Sequence, residues 1–251
     1  MRKTSNRFPF LSMQQYFVNE PLETGMDYVF DDKQAHHAKT VVRLNNEVVR
    51  LVYDGKGYLA TARQQGKQFI AHVDKADERV NELSCPLILC MALIRREKME
   101  LVLQKATELG VTKIIPFVSS RCVVKEKKEK KEKLAERWNT ILLEAAQQCK
   151  RNVIPELSSV ISFEELQSVD AFYRLCAYEN AYGKSKKLTD VVNSHEPIAL
   201  VIGPEGGFSQ EEVQQLEQAG YTSVTFGKRI LRAETAAIFG CSVLSEIVED
   251  D

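Results

Sequence analysis

The sequence predicts an α/β protein in which a parallel β-sheet follows a small N-terminal β domain. Short β-rich segments at roughly ten-residue spacing occupy the first third of the chain, as in a small β-barrel. From Pro86 onward, apolar runs alternate with helical stripes, which is typical of βαβ units. In the last fifth, two glycine loops each follow an apolar run and precede a helix. Two such loops form the ligand crevice in many α/β proteins.

Composition is that of a globular protein of one large or two smaller domains. The chain has 251 residues, of which 44% are hydrophobic and 27% charged, so it can bury a sizeable core. The formal net charge is −1, so any nucleic-acid role must depend on a local patch of charge. We find no apolar run near the roughly 18 residues of a membrane span and expect no contact with a membrane.

The cysteines and the N-terminus indicate a cytoplasmic protein without a metal site. Six cysteines are scattered and form no C-x-x-C pair, and the four histidines lack metal-binding spacing. Reduced thiols fit this pattern. The first residues lack the apolar segment and cleavage site of a secretory signal.

The N-terminal domain is predicted to span residues 13–82, after a flexible extension of residues 1–12. A strand begins close to Met13, and His36–Leu44 is expected to form a short helix that leads into a strand. The turn sequence Asp54–Gly57 predicts a hairpin. The other expected strands are Val48–Tyr53, Tyr58–Ala62 and Phe69–Val73.

The second domain is predicted to span residues 83–251. Its expected strands include the apolar runs Leu87–Ile94, Val111–Val118 and Phe172–Ala177. Amphipathic stripes predict helices over Glu97–Leu109 and Leu134–Cys149. Gly110 is placed to end the first of these helices.

A glycine loop, Gly203–Gly207, follows the apolar run Ile198–Ile202. Ser209 and Glu212 have the spacing of a capping box, so the loop opens onto a helix N-terminus that favours an anion or a polar ligand edge. The loop matches neither a P-loop nor the dinucleotide fingerprint. A tight turn is the structural alternative, in which Glu205 bonds to N–H groups of the loop.

A second loop follows the expected strand Val224–Phe226, and the last helix begins near Arg232 and Glu234. Glu234 suits the positive end of a helix dipole, and Thr235 is a candidate cap. The presence of Glu234 is therefore explained equally well by the helix dipole and by a functional role. Arg232 is harder to explain this way, because it follows two apolar residues.

Three weakly basic patches are candidates for contacts to RNA phosphates. His36, Lys39 and Arg43 form the first, and Arg151 belongs to a short basic segment. Arg121 and the run that ends at Lys133 together hold seven basic and three acidic residues. Such patches suit RNA phosphates, although a solvated surface is the alternative for the charge run.

Motifs across the chain resemble the bacterial 16S rRNA uridine-N3 methyltransferase family, also called the ribosomal small-subunit methyltransferase E family, of the SPOUT superfamily. The pair GPEGGFS and RILRAETA, at this separation, is specific to it. The resemblance runs from Met13 almost to the C-terminus. It is carried by MQQYFV, HHAKTVVRL, ALIRREKMELVLQKATELGVTKIIPF, ERWNTILLEAAQQCKRNVIPEL, YEN, IGPEGGFSQEEV and GKRILRAETA.

This resemblance implies a fold and a cofactor that the residue patterns do not establish. The β-barrel would be PUA-like and would bind RNA, and the second domain would be a SPOUT-type parallel sheet with a C-terminal trefoil knot. The protein would be a homodimer that binds S-adenosyl-L-methionine. Carried over, the cofactor site comprises Leu175, Tyr178, Glu179, Ile202, Gly203, Glu205, Gly206, Gly207, Phe226, Gly227, Ile230 and Leu231.

The implied reaction is methylation of N3 of a uridine in the decoding region of 16S rRNA, within the assembled small ribosomal subunit. Arg232 would stabilise charge on the uracil oxygens, and Glu205 and Glu234 are the candidate bases. Where relatives have a Gly-Asp turn after Leu44, this chain has Asn45-Asn46-Glu47, so one barrel loop departs from the family pattern. Alternatives are methylation of tRNA or 23S rRNA, a non-enzymatic RNA-binding assembly factor, and a nucleotide-dependent oxidoreductase, which the missing dinucleotide fingerprint disfavours.

Overall fold

The structure is a computed structural model. It describes residues 13–122, 131–178 and 186–249. The predicted N-terminal extension, residues 1–12, lies outside the described residues. So does most of the basic run that follows Arg121. None of the described helices combines the length and apolar character that crossing a membrane requires.

The chain forms two compact units. The first unit extends to Asn81 and also includes Gln147–Val153, and the second comprises Glu82–Ala146 and Ile154–Asp251. The sequence suggested a boundary at residue 82 but gave no sign that a segment beyond residue 146 belongs to the first unit.

The first unit contains a five-stranded mixed sheet with the order β1-β3-β4-β5-β2. Strand β1 pairs parallel to β3, and the other pairs are antiparallel. The strands are β1 (Gln15–Phe17), β2 (Asp27–Val29), β3 (Glu47–Tyr53), β4 (Lys56–Gln65) and β5 (Gln68–Asp77).

The predicted closed β-barrel is not what the structure shows. The two edge strands, β1 and β2, have three residues each and do not pair with one another within the described residues. Closure requires paired edges, so the sheet remains open. Helical residues follow β2: α1 (Asp32–His36) continues into a π-helical turn, His37–Val42. The expected helix over His36–Leu44 is therefore present, but it begins earlier.

A buried arginine connects the sheet of the first unit to the segment Gln147–Val153. The side chain of Arg50 is fully buried, and its Nε donates to Asp77 Oδ2 at 2.7 Å. The remaining N–H groups of its guanidinium donate to Gln15 Oε1, Asn152 Oδ1 and the backbone carbonyls of Arg79 and Lys150. A buried guanidinium needs such partners, because an unpaired buried charge is costly.

The second unit is built on an all-parallel sheet with the order β12-β10-β11-β6-β7-β8, and β9 also pairs with β7. The strands are β6 (Leu87–Ala92), β7 (Lys113–Val118), β8 (Glu156–Leu157), β9 (Ile161–Ser162), β10 (Tyr173–Ala177), β11 (Ile198–Ile202) and β12 (Thr222–Val224). The helices are α2 (Arg96–Glu108), α3 (Lys131–Cys149), a 3-10 turn (Glu164–Ser168), α4 (Leu188–Val191), α5 (Gln210–Gln218) and α6 (Ala233–Val248). This confirms the predicted α/β class with a parallel sheet.

Both faces of this sheet are covered, which explains why its central strands are apolar throughout. All five residues of β11 are buried. Alternate residues point to opposite faces of a strand, so Leu200 belongs to a core with α2 and α6, whereas Val201 belongs to a second core with Phe208 and α5. Strand β12 ends at Val224 instead of Phe226, which places Phe226 in the following loop.

Candidate active site

The candidate site lies at the carboxyl edge of the parallel sheet. Strands β10, β11 and β12 are adjacent and parallel, so the segments that follow Ala177, Ile202 and Val224 leave the same edge. Ligands bind outside this edge in open α/β sheets. The two glycine loops of the sequence are therefore brought together by the sheet order.

The first glycine loop, Gly203–Gly207, leads into α5 as the sequence predicted. Ser209 is the N-cap, its hydroxyl accepts the Glu212 N–H, and Glu212 Oε2 accepts the Ser209 N–H at 2.8 Å, which confirms the capping box. Gly207 has a φ of 65°, a left-handed conformation that disfavours a side chain. The loop thus depends on glycine at this position.

Arg121 supports this loop from a neighbouring segment. Its Nη1 donates to the carbonyls of Gly206 at 3.2 Å and Phe208 at 3.3 Å. The adjacent Ser120 N–H donates to the buried Glu212 at 2.9 Å. The sequence suggested Arg121 as an RNA contact. The structure gives it a second role, because the same guanidinium holds the loop carbonyls.

A pocket of about 100 Å³, partly open to solvent, occupies the space between the loops. Nine of the residues assigned to the cofactor by resemblance line it: Tyr178, Ile202, Gly203, Glu205, Gly207, Phe226, Gly227, Ile230 and Leu231. The lining also includes Ala177, Pro204 and Arg229, which lie within the loops that the resemblance assigns to the cofactor. Residues outside those loops complete it: Phe208, Thr225, Ala233 and Ala236. The walls combine apolar side chains and glycine backbone with the polar side chains of Tyr178, Glu205, Thr225 and Arg229.

Two of the expected cofactor residues that the structure describes, Leu175 and Gly206, are not in the pocket lining. Leu175 is fully buried within β10. Gly206 faces Arg121, since a Cβ at Gly206 would lie 3.2 Å from the Arg121 Cβ. Glu179 lies outside the described residues. Leu175 therefore supports the sheet beneath the site, and Gly206 permits the close approach of Arg121.

A cluster of charged side chains lies beside the pocket. Lys98, in the first turn of α2, places its Nζ 3.2 Å from Glu234 Oε2 and 3.9 Å from Glu205 Oε1. Glu205 Oε1 also accepts the backbone N–H of Arg95 at 3.2 Å. The carboxylate of the glycine loop thus reaches the start of α2, and Lys98 lies between the two glutamates that the sequence named.

Glu234 is the more buried of these two glutamates, with a side chain that is 13% exposed, against 22% for Glu205. Its Oε2 makes the ion pair with Lys98 but has no hydrogen bond of good geometry within the described residues. Burial acts to raise the pKa of Glu234. A backbone hydrogen bond and the charges of Lys98 and Arg232 outweigh it, so the pKa lies below its usual value.

Arg232 is the N-cap residue of α6, but its side chain makes no capping hydrogen bond. The suggestion that Thr235 caps this helix is wrong, because Thr235 lies inside α6. Arg232 is exposed and is absent from the pocket lining. It is near enough to lower the pKa of Glu234, which associates both residues with the charged cluster.

The candidate RNA contacts of the first unit differ in exposure. His36, Lys39 and Arg43 are exposed, at the end of α1, in the π-helical turn and immediately after it. Arg151 is only 2% exposed, so the structure does not place it where an RNA phosphate could reach it. Arg151 was predicted to contact RNA because it lies in a short basic segment. In the structure, the residues of this segment belong to the buried surroundings of Arg50.

Comparisons with known proteins show the family of the chain. Residues 81–245 match the RNA methyltransferase domain family. One relative is a ribosomal RNA small subunit methyltransferase E of Mesomycoplasma hyopneumoniae, to which the chain is 34% identical over 245 residues. The match covers 95% of this chain and 100% of the relative. The corresponding Bacillus subtilis protein is 31% identical, over 93% of this chain and 96% of the relative.

Solved structures give the same result. The Neisseria gonorrhoeae ribosomal RNA small subunit methyltransferase E, bound to S-adenosyl methionine, superposes with a TM-score of 0.85. Its sequence is 30% identical, over 94% of this chain and 98% of that one. A Legionella pneumophila protein whose structure holds the cofactor SAM also has a TM-score of 0.85, with 32% identity over 93% and 97% of the two chains. The chain therefore belongs to the ribosomal RNA small subunit methyltransferase E family.

Proposed function

We propose that this protein is an S-adenosylmethionine-dependent methyltransferase that methylates N3 of a uridine in the decoding region of 16S rRNA. The observation that carries the proposal is the pocket between two glycine loops, with Lys98, Glu205 and Glu234 beside it. Membership of the family supports the class of reaction. The position of the methylated atom follows from the family resemblance.

The residues of the pocket fit S-adenosylmethionine. Ile202, Phe226 and Leu231 offer apolar surface of the kind that packs against an adenine ring, and the glycine loops expose backbone groups for its polar edges. Glu205 is one of the lining residues, and its negative charge favours a cationic ligand such as a sulfonium. When bound, the cofactor supplies an electrophilic methyl group, so the protein contributes position and electrostatics.

The chain's own residues then have to remove a proton and stabilise an anion, because uridine N3 is protonated at neutral pH. Arg232 is exposed and uncommitted to capping, so its guanidinium is suited to negative charge on the uracil oxygens. Glu234 and Glu205 are the candidate bases. Glu234 has a lowered pKa, which keeps it ionised at neutral pH, as a base must be before it takes up a proton.

The RNA is bound, in this proposal, through His36, Lys39 and Arg43 of the first unit, which acts as the RNA-binding domain. Arg121 adds a contact near the glycine loop. We also propose the trefoil knot, the homodimer and the cytoplasmic location that the family resemblance implies, with the assembled small subunit as substrate.

The decisive experiment is to delete the gene and map methylated nucleosides in 16S rRNA, 23S rRNA and tRNA by mass spectrometry. Loss of one N3-methyluridine from 16S rRNA, restored by the purified protein and S-adenosylmethionine, is the expected result. Loss from tRNA or 23S rRNA instead would establish a different substrate. An unchanged pattern in all three RNAs would leave a non-enzymatic RNA-binding role.

The role of Arg232 is tested by Arg232→Ala. We expect S-adenosylmethionine affinity to stay the same in calorimetry while turnover on small subunits falls by roughly 10²-fold or more, the size of a lost oxyanion contact. Unchanged turnover would remove Arg232 from the mechanism. Arg63→Ala, in β4 of the first unit, is a control for loss of a positive charge away from the pocket.

A further inference from the structure

Lys98 was given no role in the site by the sequence, and it does not line the pocket. It lies in the first turn of α2, whose N-cap residue, Arg95, has no side-chain cap. The cap is supplied from a distant part of the chain, because Glu205 accepts the Arg95 N–H. Lys98 then adds ionic contacts to Glu205, at 3.9 Å, and to Glu234, at 3.2 Å.

These contacts join three segments that the backbone does not connect directly. Glu205 belongs to the loop after β11, Glu234 belongs to the first turn of α6, and Lys98 belongs to α2. Without the ammonium group, the two carboxylates would repel each other across a partly dehydrated space, where such repulsion is stronger than in water. Lys98 is 28% exposed, so its charge is only partly screened.

We propose that Lys98 is a positioning residue of the pocket: its ammonium bridges Glu205 and Glu234 and holds the glycine loop and the start of α6 in their reactive arrangement. The inference rests on the proposed function for its effect on catalysis. The bridge itself is a property of the folded chain and can be tested without any ligand.

The charged groups that face Glu234 in the described structure are Lys98 on α2 and Arg232 at the start of its own helix. Glu205 faces the same ammonium from the glycine loop. Removal of Lys98 therefore removes the cation that Glu234 contacts and leaves Arg232 as the remaining positive neighbour. The pKa of Glu234, which is lowered in the intact cluster, should then rise.

The test compares Lys98→Met, Lys98→Arg and the control Lys105→Met. Lys105 lies in the same helix and pairs with Glu108, outside the pocket lining. Methyl transfer to small subunits is measured first with the unaltered protein. We expect Lys98→Met to lower kcat/KM by roughly 10–100-fold, the size of a misplaced reactive group. Lys98→Arg should recover part of this loss, and Lys105→Met should have little effect.

The pH dependence separates positioning from simple structural support. Because Lys98→Met raises the pKa of Glu234, the acid limb of kcat/KM should move to higher pH, while Lys98→Arg should leave it close to that of the unaltered protein. An unchanged kcat/KM, or a loss with an unmoved acid limb and no recovery by arginine, would overturn the positioning role.

A second measurement needs neither cofactor nor RNA. Glu234 has a lowered pKa in the folded state, so its pairing stabilises the fold above its unfolded pKa and is lost as pH falls. The difference in unfolding midpoint between the unaltered protein and Lys98→Met should be largest near neutral pH and shrink on acidification. It should also become smaller in a Glu234→Gln background, where only the longer contact of Lys98 with Glu205 remains. A difference independent of pH and of Glu234 would refute the bridge.

The two proposals fail in different ways. If the unaltered protein methylates no RNA, the proposed function is wrong, and the unfolding measurements still decide whether Lys98 bridges the glutamates. If it methylates 16S rRNA and Lys98→Met behaves like the unaltered protein in every assay, only the positioning role is wrong.

Discussion

Two clusters in this protein pair a cationic side chain with carboxylates, and they differ in how fully their polar atoms are satisfied. In the first unit, Arg50 is completely buried and donates five hydrogen bonds, one of them to Asp77. In the second unit, Lys98 is 28% exposed and contacts Glu205 and Glu234 only as an ion pair.

A carboxyl pKa is lowered in both clusters, but the hydrogen bonding of the two carboxylates differs. Burial acts to raise the pKa of Asp77, and Arg79 and Arg50 lower it overall. Burial also acts to raise the pKa of Glu234, and a backbone hydrogen bond, Lys98 and Arg232 lower it overall. Asp77, however, accepts hydrogen bonds on both oxygens, whereas Glu234 keeps one oxygen without a hydrogen bond in the described structure.

This difference indicates what each cluster is for. A buried network in which the polar atoms are paired specifies one packing arrangement and contributes little that a ligand can use. In the second cluster, Glu234 Oε2 lies beside a pocket and contacts the Lys98 ammonium without a well-formed hydrogen bond in the described structure, and incompletely satisfied groups of this kind are common at functional sites. A lowered pKa alone would not have separated the two.

The largest expected effect comes from Arg50→Met. Removing one partner of a buried ion pair costs about 3–5 kcal/mol. Asp77, Gln15, Asn152 and two backbone carbonyls would each lose the hydrogen bonds that Arg50 supplies. Amide hydrogen exchange in β3, β4 and β5 should accelerate by roughly 10²–10³-fold or more. Arg63→Met, in the same sheet but only partly buried, is the matched control. Equal protection in both variants would show that the network is not structural.

In the second cluster, Glu234→Gln should lower turnover and leave the stability of the fold almost unchanged. The amide cannot take up a proton as a carboxylate does, so turnover on small subunits should fall by roughly 10²-fold. The free energy of unfolding should change by about 1 kcal/mol or less, because the ion pair is partly exposed. Turnover and urea denaturation measure the two quantities separately. A large loss of stability with normal turnover would reverse the assignment of the two clusters.

Gly207→Val should weaken S-adenosylmethionine binding by about 10-fold, which corresponds to the 1–2 kcal/mol cost of a left-handed conformation for a residue with a side chain. Gly220→Val is the matched control, since Gly220 has a φ of 90° and open space around it but lies outside the pocket. Calorimetry measures both affinities. Similar affinities in the two variants would mean that the loop backbone does not hold the cofactor.

The smallest effect is expected at a more exposed pair, Glu100 and Arg137. Arg137 Nη2 donates to Glu100 Oε2 at 2.6 Å, and hydrogen bonding from Arg137 lowers the pKa of Glu100 to about 2. A lowered pKa stabilises the fold above the unfolded value of 4.5, and this stabilisation is lost as pH falls toward 2.

Glu100→Gln should therefore lower the Tm at pH 7 by about 1–3 °C, because exposed ion pairs are weak. Scanning calorimetry between pH 7 and pH 3 should show the two Tm values converging below pH 4.5. A constant difference across this range would show that the glutamine acts through packing and not through charge.

Much of the second unit could be predicted, because its signals are local. The apolar run of β11, the capping box of Ser209 and Glu212, and the stop at Gly110 depend on neighbours within a few residues, and the structure has all three. The first unit was harder. Its edge strands are three residues long, so they carry little periodic signal, and the expected barrel was wrong for that reason.

The site was predictable in part for the same reason. The glycine loops can be recognised in the sequence by their composition, and nine of the expected cofactor residues line the pocket. Lys98 gives no such signal, because a lysine in the first turn of an amphipathic helix is an ordinary surface residue. Arg151 gave a false signal, since its basic neighbours suggested an RNA contact but the residue is buried.

The sequence by itself determined the parallel α/β sheet, the two loops after its strands and the family to which the chain is similar. These features depend on periodicity, turn residues and spaced motifs, all of which lie along the chain. Only the tertiary structure decided that Glu205 caps a helix more than a hundred residues away, that Lys98 stands between two glutamates, and that Arg50 is buried and Arg232 exposed. Burial and long-range charge pairing depend on strand order, and strand order is fixed by the packing of the whole unit.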